Sequence, residues 1–458
     1  MTAFSALALP ESLQRSVAAL GFVEMTPIQA DSLPALLAGK DVIAQAKTGS
    51  GKTVAFGLAL LSGLSVEGSA VQALVLCPTR ELADQVAKVL RKLASATPNI
   101  KILSLCGGMP LRAQLASLVH LPHIVVGTPG RIQEHLTRAS FTLDALRILV
   151  LDEADRMLDM GFEPAISEIL QNAPSERQTL LFSATYPEQI RALSKRFQRD
   201  PSSVTLPELH DNEVIDQQFY AVELARKPDA VLALLALHKP ASTLVFCNTK
   251  RDTDALAQTL GARGLSVLAL HGDMEQRDRT EVLVRFANGS CSVLVATDVA
   301  ARGLDLTDLA AVLNYELALD ADQHIHRVGR SGRAGQKGLA WSLVTTNELE
   351  RAHLIEARQA APLRWSELDL SAQSGEKLPT AAYLTLMVEG GRKDKLRPGD
   401  LLGALTGAAG LPVEAVGKID IFETRAYVAL TRSSAEQALA RLRAGQIKGK
   451  RFRVSKLR

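Results

Sequence analysis

The chain has 458 residues and a formal net charge of +3, and 47% of it is hydrophobic. That composition excludes a disordered chain, and the length exceeds what one hydrophobic core usually supports, so roughly two to four domains are expected. No apolar run is long enough for a membrane-spanning helix, and four scattered cysteines (Cys77, Cys106, Cys247 and Cys291) with no C-x-x-C pair argue against a zinc site and for a reducing cytoplasm.

From the amino end, "MTAFSALALPESLQRSVAAL" has no basic leader region and carries Glu11 and Arg15 inside its apolar pattern, so it reads as an amphipathic helix rather than a signal peptide. Short apolar runs follow, separated by amphipathic stretches: "ALVLCP", "KILSLCG", "HIVVGTP", "ILVLDEAD" and "TLLFSAT". Near-continuous apolar strands of this kind imply a parallel sheet covered on both faces. "LPELHDNEV" reads as a linker, after which the rhythm restarts with "QQFYAVEL", "STLVFCN", "SVLALHG", "CSVLVATD", "AAVLNYEL" and "GLAWSLV". Two α/β units are therefore expected, over residues 1–206 and 213–360.

A polar linker over 361–378 leads to a third composition at 379–458. The pattern there predicts strand (Tyr383–Val388), helix (Arg397–Thr406), strand (Lys418–Phe422), strand (Arg425–Leu430), helix (Ser434–Ala444) and strand (Phe452–Lys456). This β-α-β-β-α-β order is the split βαβ arrangement that RNA-recognition modules use. The segment from Pro379 holds 15 Lys and Arg against 7 Asp and Glu, a surplus of 8, which leaves the rest of the chain at −5. A basic module on a mildly acidic body points to nucleic acid or another acidic partner.

"AKTGSGKT", Ala46 to Thr53, fits a phosphate loop except that Ala46 replaces the first glycine. Thr48, Gly49, Ser50 and Gly51 form the turn whose backbone N–H groups face phosphate oxygens. Lys52 is placed to reach the β- and γ-phosphates of ATP and Thr53 to ligate Mg2+. At the end of "ILVLDEAD", Asp152 suits the second metal-holding group and Glu153 the group that orients the attacking water.

"DEAD", Asp152 to Asp155, together with "AKTGSGKT", resembles the DEAD-box ATP-dependent RNA helicases, and the family's other motifs follow in order over roughly residues 1–345. The resemblance implies two RecA-like parallel-sheet domains in tandem plus a small α+β RRM-like C-terminal domain. In "GFVEMTPIQ" it gives Phe22 for stacking on adenine and Gln29 for its edge, with Phe4 as the upstream aromatic. Pro78, Thr79 and Arg80 in "PTREL", Gly107 and Gly108, and Thr128 and Arg131 in "TPGR" resemble RNA contacts of the first unit. Ser183 and Thr185 in "SAT" resemble the motif that couples hydrolysis to unwinding. In the second unit, Thr249, Gln276, Arg279 and Thr297 resemble RNA-side residues, and Gly303 and Asp305 lie on the nucleotide side. "HRVGRSGR" supplies His326 to the catalytic set and places Arg330 and Arg333 as arginine fingers, each worth roughly 10³- to 10⁵-fold in rate. Lys52 lies in one unit and the fingers in the other, so the catalytic set is expected to be complete only when the two act together.

The C-terminal module resembles that of the bacterial DbpA subgroup, which implies recognition of large-subunit ribosomal RNA and a role in assembly of that subunit. Lys393, Lys395 and Arg397 at one end and Lys448, Lys450 and Arg451 at the other are the expected phosphate contacts. Tyr427 either stacks a base or packs. A monomer that binds RNA, with no DNA or membrane partner, is expected. The alternative is a general helicase of RNA decay or cold adaptation with a loosely binding basic module.

Overall fold

The computed structural model describes residues 3–46, 49–68, 70–186, 188–205, 215–301, 309–332, 338–359, 361–370, 378–407 and 410–457. Thr48, Gly303, Asp305 and Arg333 lie outside the described residues. The chain divides into two compact units, the first ending at Leu209 and the second carrying two further sheets.

The first unit contains β1 (Val42–Gln45), β2 (Ala73–Leu76), β3 (Ile102–Leu105), β4 (Ile124–Gly127), β5 (Ile148–Asp152), β6 (Gln178–Ser183) and β7 (Ser202–Thr205), the five apolar runs of its sequence forming β2 to β6. They pair in the order β3-β4-β2-β5-β6-β1-β7, all parallel. Because successive side chains point to opposite faces, Val75, Val150 and Leu180 enter one core while Leu74, Leu149 and Leu181 enter another. Helices cover both, which explains why β2, β4, β5 and β6 are buried at every residue. The outer strand β7 has no apolar run and alternates between half-buried and exposed.

The second unit opens with β8 (Ile215–Ala221), β9 (Thr243–Cys247), β10 (Val267–Leu270), β11 (Val293–Thr297), β12 (Ala311–Asn314) and β13 (Gly338–Val344). Their order is β10-β11-β9-β12-β13-β8, again parallel throughout. Its other sheet comprises β14 (Tyr383–Val388), β15 (Val416–Ile421), β16 (Ala426–Thr431) and β17 (Val454–Lys456), antiparallel in the order β15-β16-β14-β17. The helices Pro398–Thr406 and Ala435–Ala444 pack on one face of it around Leu386, Val428 and Leu430. This is the split βαβ topology, with each element within two residues of its expected ends.

The opposite face of that small sheet is not open. Met387 and Tyr427, paired across β14 and β16, pack on Val284 of the helix Gln276–Ala287. Below them Thr385 is buried between Asn288, whose Nδ2 donates to its Oγ1 at 2.9 Å, and Ser290, whose Oγ accepts from it at 2.8 Å. The Tyr383 amide donates to the Gly289 carbonyl at 3.3 Å. Replacing Thr385 by the isosteric Val leaves the Asn288 and Ser290 groups without this partner. Thr385→Val is expected to cost about 1–3 kcal/mol, read as a lower urea midpoint of the full chain; a parental midpoint contradicts the docking.

Among the described residues, no helix is long and apolar enough to cross a membrane. All four cysteines are free and buried.

Candidate functional site

The phosphate loop leaves β1 and turns into the helix Lys52–Ser62 through two glycines in the left-handed region, Gly49 (φ 83) and Gly51 (φ 96). A side chain on Gly51 would also meet Gln29, since a Cβ there would lie 2.5 Å from Gln29 Nε2. Gln29 sits in the first turn of the helix Pro27–Leu37. Its Oε1 accepts from the Thr26 amide at 2.9 Å and its Nε2 donates to the Gly51 carbonyl at 3.0 Å. The glutamine expected at an adenine edge thus also clamps the phosphate loop. Phe22 is 38% exposed and leaves its ring available for stacking, whereas Phe4, at 4%, is a core residue 6.3 Å from it. Lys52 is buried and donates to the Ala46 carbonyl at 2.8 Å.

Asp152 ends β5 and is buried, with no hydrogen-bond partner at its Oδ1 among the described residues. Burial pushes its carboxyl up to about 6, against the attraction of Lys52. Glu153 follows in the left-handed region (φ 53, ψ 53), a conformation that costs a residue with a Cβ about 1–2 kcal/mol. Arg156 holds it there, Nη1 to Oε2 at 3.0 Å, both side chains buried. Asp155 reaches the end of the neighbouring strand: its Oδ2 accepts from the Ala184 amide (3.1 Å), the Thr185 amide (2.9 Å) and the Thr185 hydroxyl (3.0 Å). "DEAD" and "SAT" are therefore one hydrogen-bonded assembly. Ser183, the last residue of β6, is buried beside it.

The loops of the first unit expected to face RNA are braced from within. Thr79 caps the helix Arg80–Leu93, its hydroxyl accepting from the Leu82 amide at 3.3 Å, and Pro78 is buried. Gly108 (φ 71) lies under the Arg80 guanidinium, so a Cβ there would sit 1.8 Å from Nη1. Thr128 is buried and accepts from the Gly107 amide at 3.5 Å. Arg131 donates to the Met109 carbonyl (3.2 Å) and Gln114 Oε1 (2.9 Å) and pairs with Glu134 at 3.2 Å. It braces the glycine loop, and neither it nor the buried Pro78 is presented outward.

In the second unit Thr249 caps the helix Lys250–Ala262, and Thr297 ends β11, buried. Gln276 and Arg279 occupy the first turn of the helix whose far end docks the C-terminal sheet, and Arg279 donates to the His271 carbonyl at 3.3 Å. His326 is half-buried and Arg330 buried.

In the C-terminal module Lys393, Lys395, Arg397, Lys448, Lys450 and Arg451 are all exposed. The two basic segments meet: Lys448 Nζ donates to the Lys395 carbonyl at 2.9 Å and lies 3.7 Å from Asp400. Tyr427 corrects the expectation that offered it to RNA. It is 3% exposed, packed on Val284 and edge-on to Phe422 at 5.6 Å, because the face that would stack a base is docked on a helix.

Residues 26–193 match the DEAD/DEAH box helicase family, 226–335 the helicase conserved C-terminal domain and 385–456 the DbpA RNA binding domain. ATP-dependent RNA helicase DbpA of Escherichia coli (strain K12) is 52% identical over the whole of both chains. The chain belongs to the DbpA subgroup of DEAD-box ATP-dependent RNA helicases. DEAD-box ATP-dependent RNA helicase CshA of Geobacillus kaustophilus (strain HTA426) is 44% identical over 78% of this chain and 76% of its own. The structure of S. cerevisiae Dbp5 bound to RNA and ADP BeF3 superposes with a TM-score of 0.72 at 30% identity, over 81% of this chain and 96% of that one.

Within this helicase, sequence reasoning left three charged residues without a role: Asp155, Arg156 and Arg327. The first two stand inside or beside "DEAD", and Arg327 inside "HRVGRSGR", so the motifs marked the places. What each side chain holds depends on loops from other strands.

Proposed function

We propose that this helicase hydrolyses ATP to separate short RNA duplexes locally and is directed by its C-terminal module to 23S ribosomal RNA during assembly of the large ribosomal subunit. The observation that carries the reading is the meeting of two basic segments, about 50 residues apart in sequence, on an exposed edge of a module matched to the DbpA RNA binding domain. The docking of the sheet on the helix Gln276–Ala287 supports recognition by basic loops rather than by base stacking on the sheet. The working unit is a monomer in the cytoplasm, consistent with four buried free thiols.

In the proposed catalytic set, the Gly49–Thr53 turn and Lys52 bind the phosphates. Glu153 orients water and takes its proton, and Arg330 with Arg333 offsets charge on the transferred group. Asp155 carries the state of this site to "SAT". Asp152 Oδ1, a buried carboxylate oxygen with no partner among the described residues, fits a bound divalent cation, and the hydroxyl of Thr53 is the second donor. Mg2+ held there would neutralise phosphate charge. The residues themselves bind, orient and move protons.

This assignment has a pH signature. The Asp152 carboxyl sits at about 6, above the ordinary value, because burial disfavours its charge. The folded state therefore holds this proton more tightly than the unfolded one. Ionising the carboxyl as pH rises through 6 costs stability, roughly 3 kcal/mol, and cation binding offsets that cost. Affinity for Mg2+ with ADP is expected to fall below about pH 6 more steeply in the parent than in Asp152→Asn, by up to roughly tenfold per pH unit, the fall left in the variant being that of the ADP phosphate itself. The same pH profile in the parent and in Asp152→Asn would remove Asp152 from the cation site.

Fluorescence anisotropy of the full chain tests the address. The expected result is tighter binding to a 23S fragment from the peptidyl-transferase region than to an unrelated RNA of equal length, with DNA weakest. Equal affinity for both RNAs would leave a general helicase with a loosely binding basic module.

A further inference from the structure

Arg327 is 1% exposed, and none of its contacts belongs to the catalytic set described above. It lies on the helix Ala321–Val328, and its guanidinium makes five hydrogen bonds. Nε and Nη2 grip Asp298 at 2.8 and 2.6 Å. Nη2 also reaches Asn248 Oδ1 at 2.7 Å. Nη1 reaches Asn314 Oδ1 at 3.2 Å and the Glu316 carbonyl at 2.7 Å. The Phe246 ring lies under it, 5.0 Å from Cζ. A guanidinium has five N–H groups in one rigid plane; here its five bonds are shared among three strand ends.

Those ends belong to β9, β11 and β12, three consecutive strands of the second sheet. Asn248 precedes Thr249, and Asp298 follows Thr297, both RNA-side positions. Asn248 is itself fixed, its amide donating to Glu316 Oε2 at 2.7 Å and its Nδ2 to the Leu317 carbonyl at 3.0 Å. On its own side, Arg327 stands in the last turn of the helix that leads to Arg330, whose amide donates back to the Arg327 carbonyl at 3.2 Å. A displacement of either RNA-side loop therefore moves the plane that sets where Arg330 begins.

We propose that Arg327 is a positioning residue that couples RNA binding to the nucleotide site, by locking the loops of Asn248 and Asp298 to the segment bearing Arg330. The inference rests on the proposed assignment of Thr249 and Thr297 to RNA and of Arg330 to nucleotide. A lysine at 327 keeps the charge opposite Asp298 but cannot hold Asn248 and Asn314 at once. Asn248→Ala removes one arm and leaves the ion pair.

The experiment measures RNA affinity of the full chain with and without ADP BeF3, whose ratio is the coupling factor, together with nucleotide affinity in the absence of RNA. In the parent the ratio is expected to be well above one. In Arg327→Lys it is expected to fall by about tenfold or more, with nucleotide affinity without RNA kept within about twofold. Asn248→Ala should lower the ratio too, and adding it to Arg327→Lys should lower it no further. Loss of folded protein alone would reduce the active fraction and leave the ratio unchanged. A parental ratio in Arg327→Lys, or in Asn248→Ala should the lysine variant fail to fold, would overturn the inference. A ratio of one in the parent would instead overturn the assignment of Thr249, Thr297 and Arg330 on which it stands.

Discussion

Glu153→Gln is expected to bind ATP as the parent does and to hydrolyse it about 10²- to 10⁴-fold more slowly. The substitution keeps the shape of the side chain and its ability to accept from Arg156, which lies 3.0 Å away. It removes the group that can take a proton from water. The phosphate-binding parts are untouched, because the glycines, Lys52 and Gln29 hold one another through Gly51 and Ala46. Single-turnover hydrolysis and nucleotide binding by equilibrium titration separate the two effects. Parental turnover in Glu153→Gln would remove the residue from the water-orienting role.

Replacing Lys393, Lys395, Lys448 and Lys450 by Ala should weaken RNA binding and flatten its salt dependence, with no change in nucleotide binding. Four phosphate contacts contribute a slope of log affinity against log salt of roughly 3 to 4, and the variant should lose about that much. The four lysines are exposed; Lys448 bonds the Lys395 carbonyl and lies 3.7 Å from Asp400, both contacts on the same surface edge. The module's core, around Leu386 and Val428, does not depend on them. An unchanged slope would place the RNA elsewhere on the protein.

The sequence carried the architecture because its strands are buried on both faces. Runs such as "ILVLDEAD" have nowhere to go but the centre of a parallel sheet, and β2, β4, β5 and β6 follow. It was silent on β7, whose "SSVT" is an edge strand with one side toward solvent and no apolar signal. The phosphate loop and "DEAD" were legible because backbone turn, charge and spacing sit in one short stretch. Tyr427 was not. Whether it stacks or packs depends on Val284, more than a hundred residues away, and the strand pattern around it is the same in both cases. The Asp155–Thr185 and Arg327–Asn248 contacts were hidden for the same reason: each joins loops that meet only once the strands are ordered.

The central claim is that an ATPase core that reads little sequence is addressed by a basic face. The direct measurement is steady-state ATPase of the full chain and of the four-lysine variant, each with the 23S peptidyl-transferase fragment, an unrelated RNA of equal length, and DNA. The full chain is preferred to a truncation, since removing the module would uncover Val284. The account predicts strong stimulation by the 23S fragment alone, lost in the variant while nucleotide binding persists. Equal stimulation by both RNAs, unchanged in the variant, would contradict it.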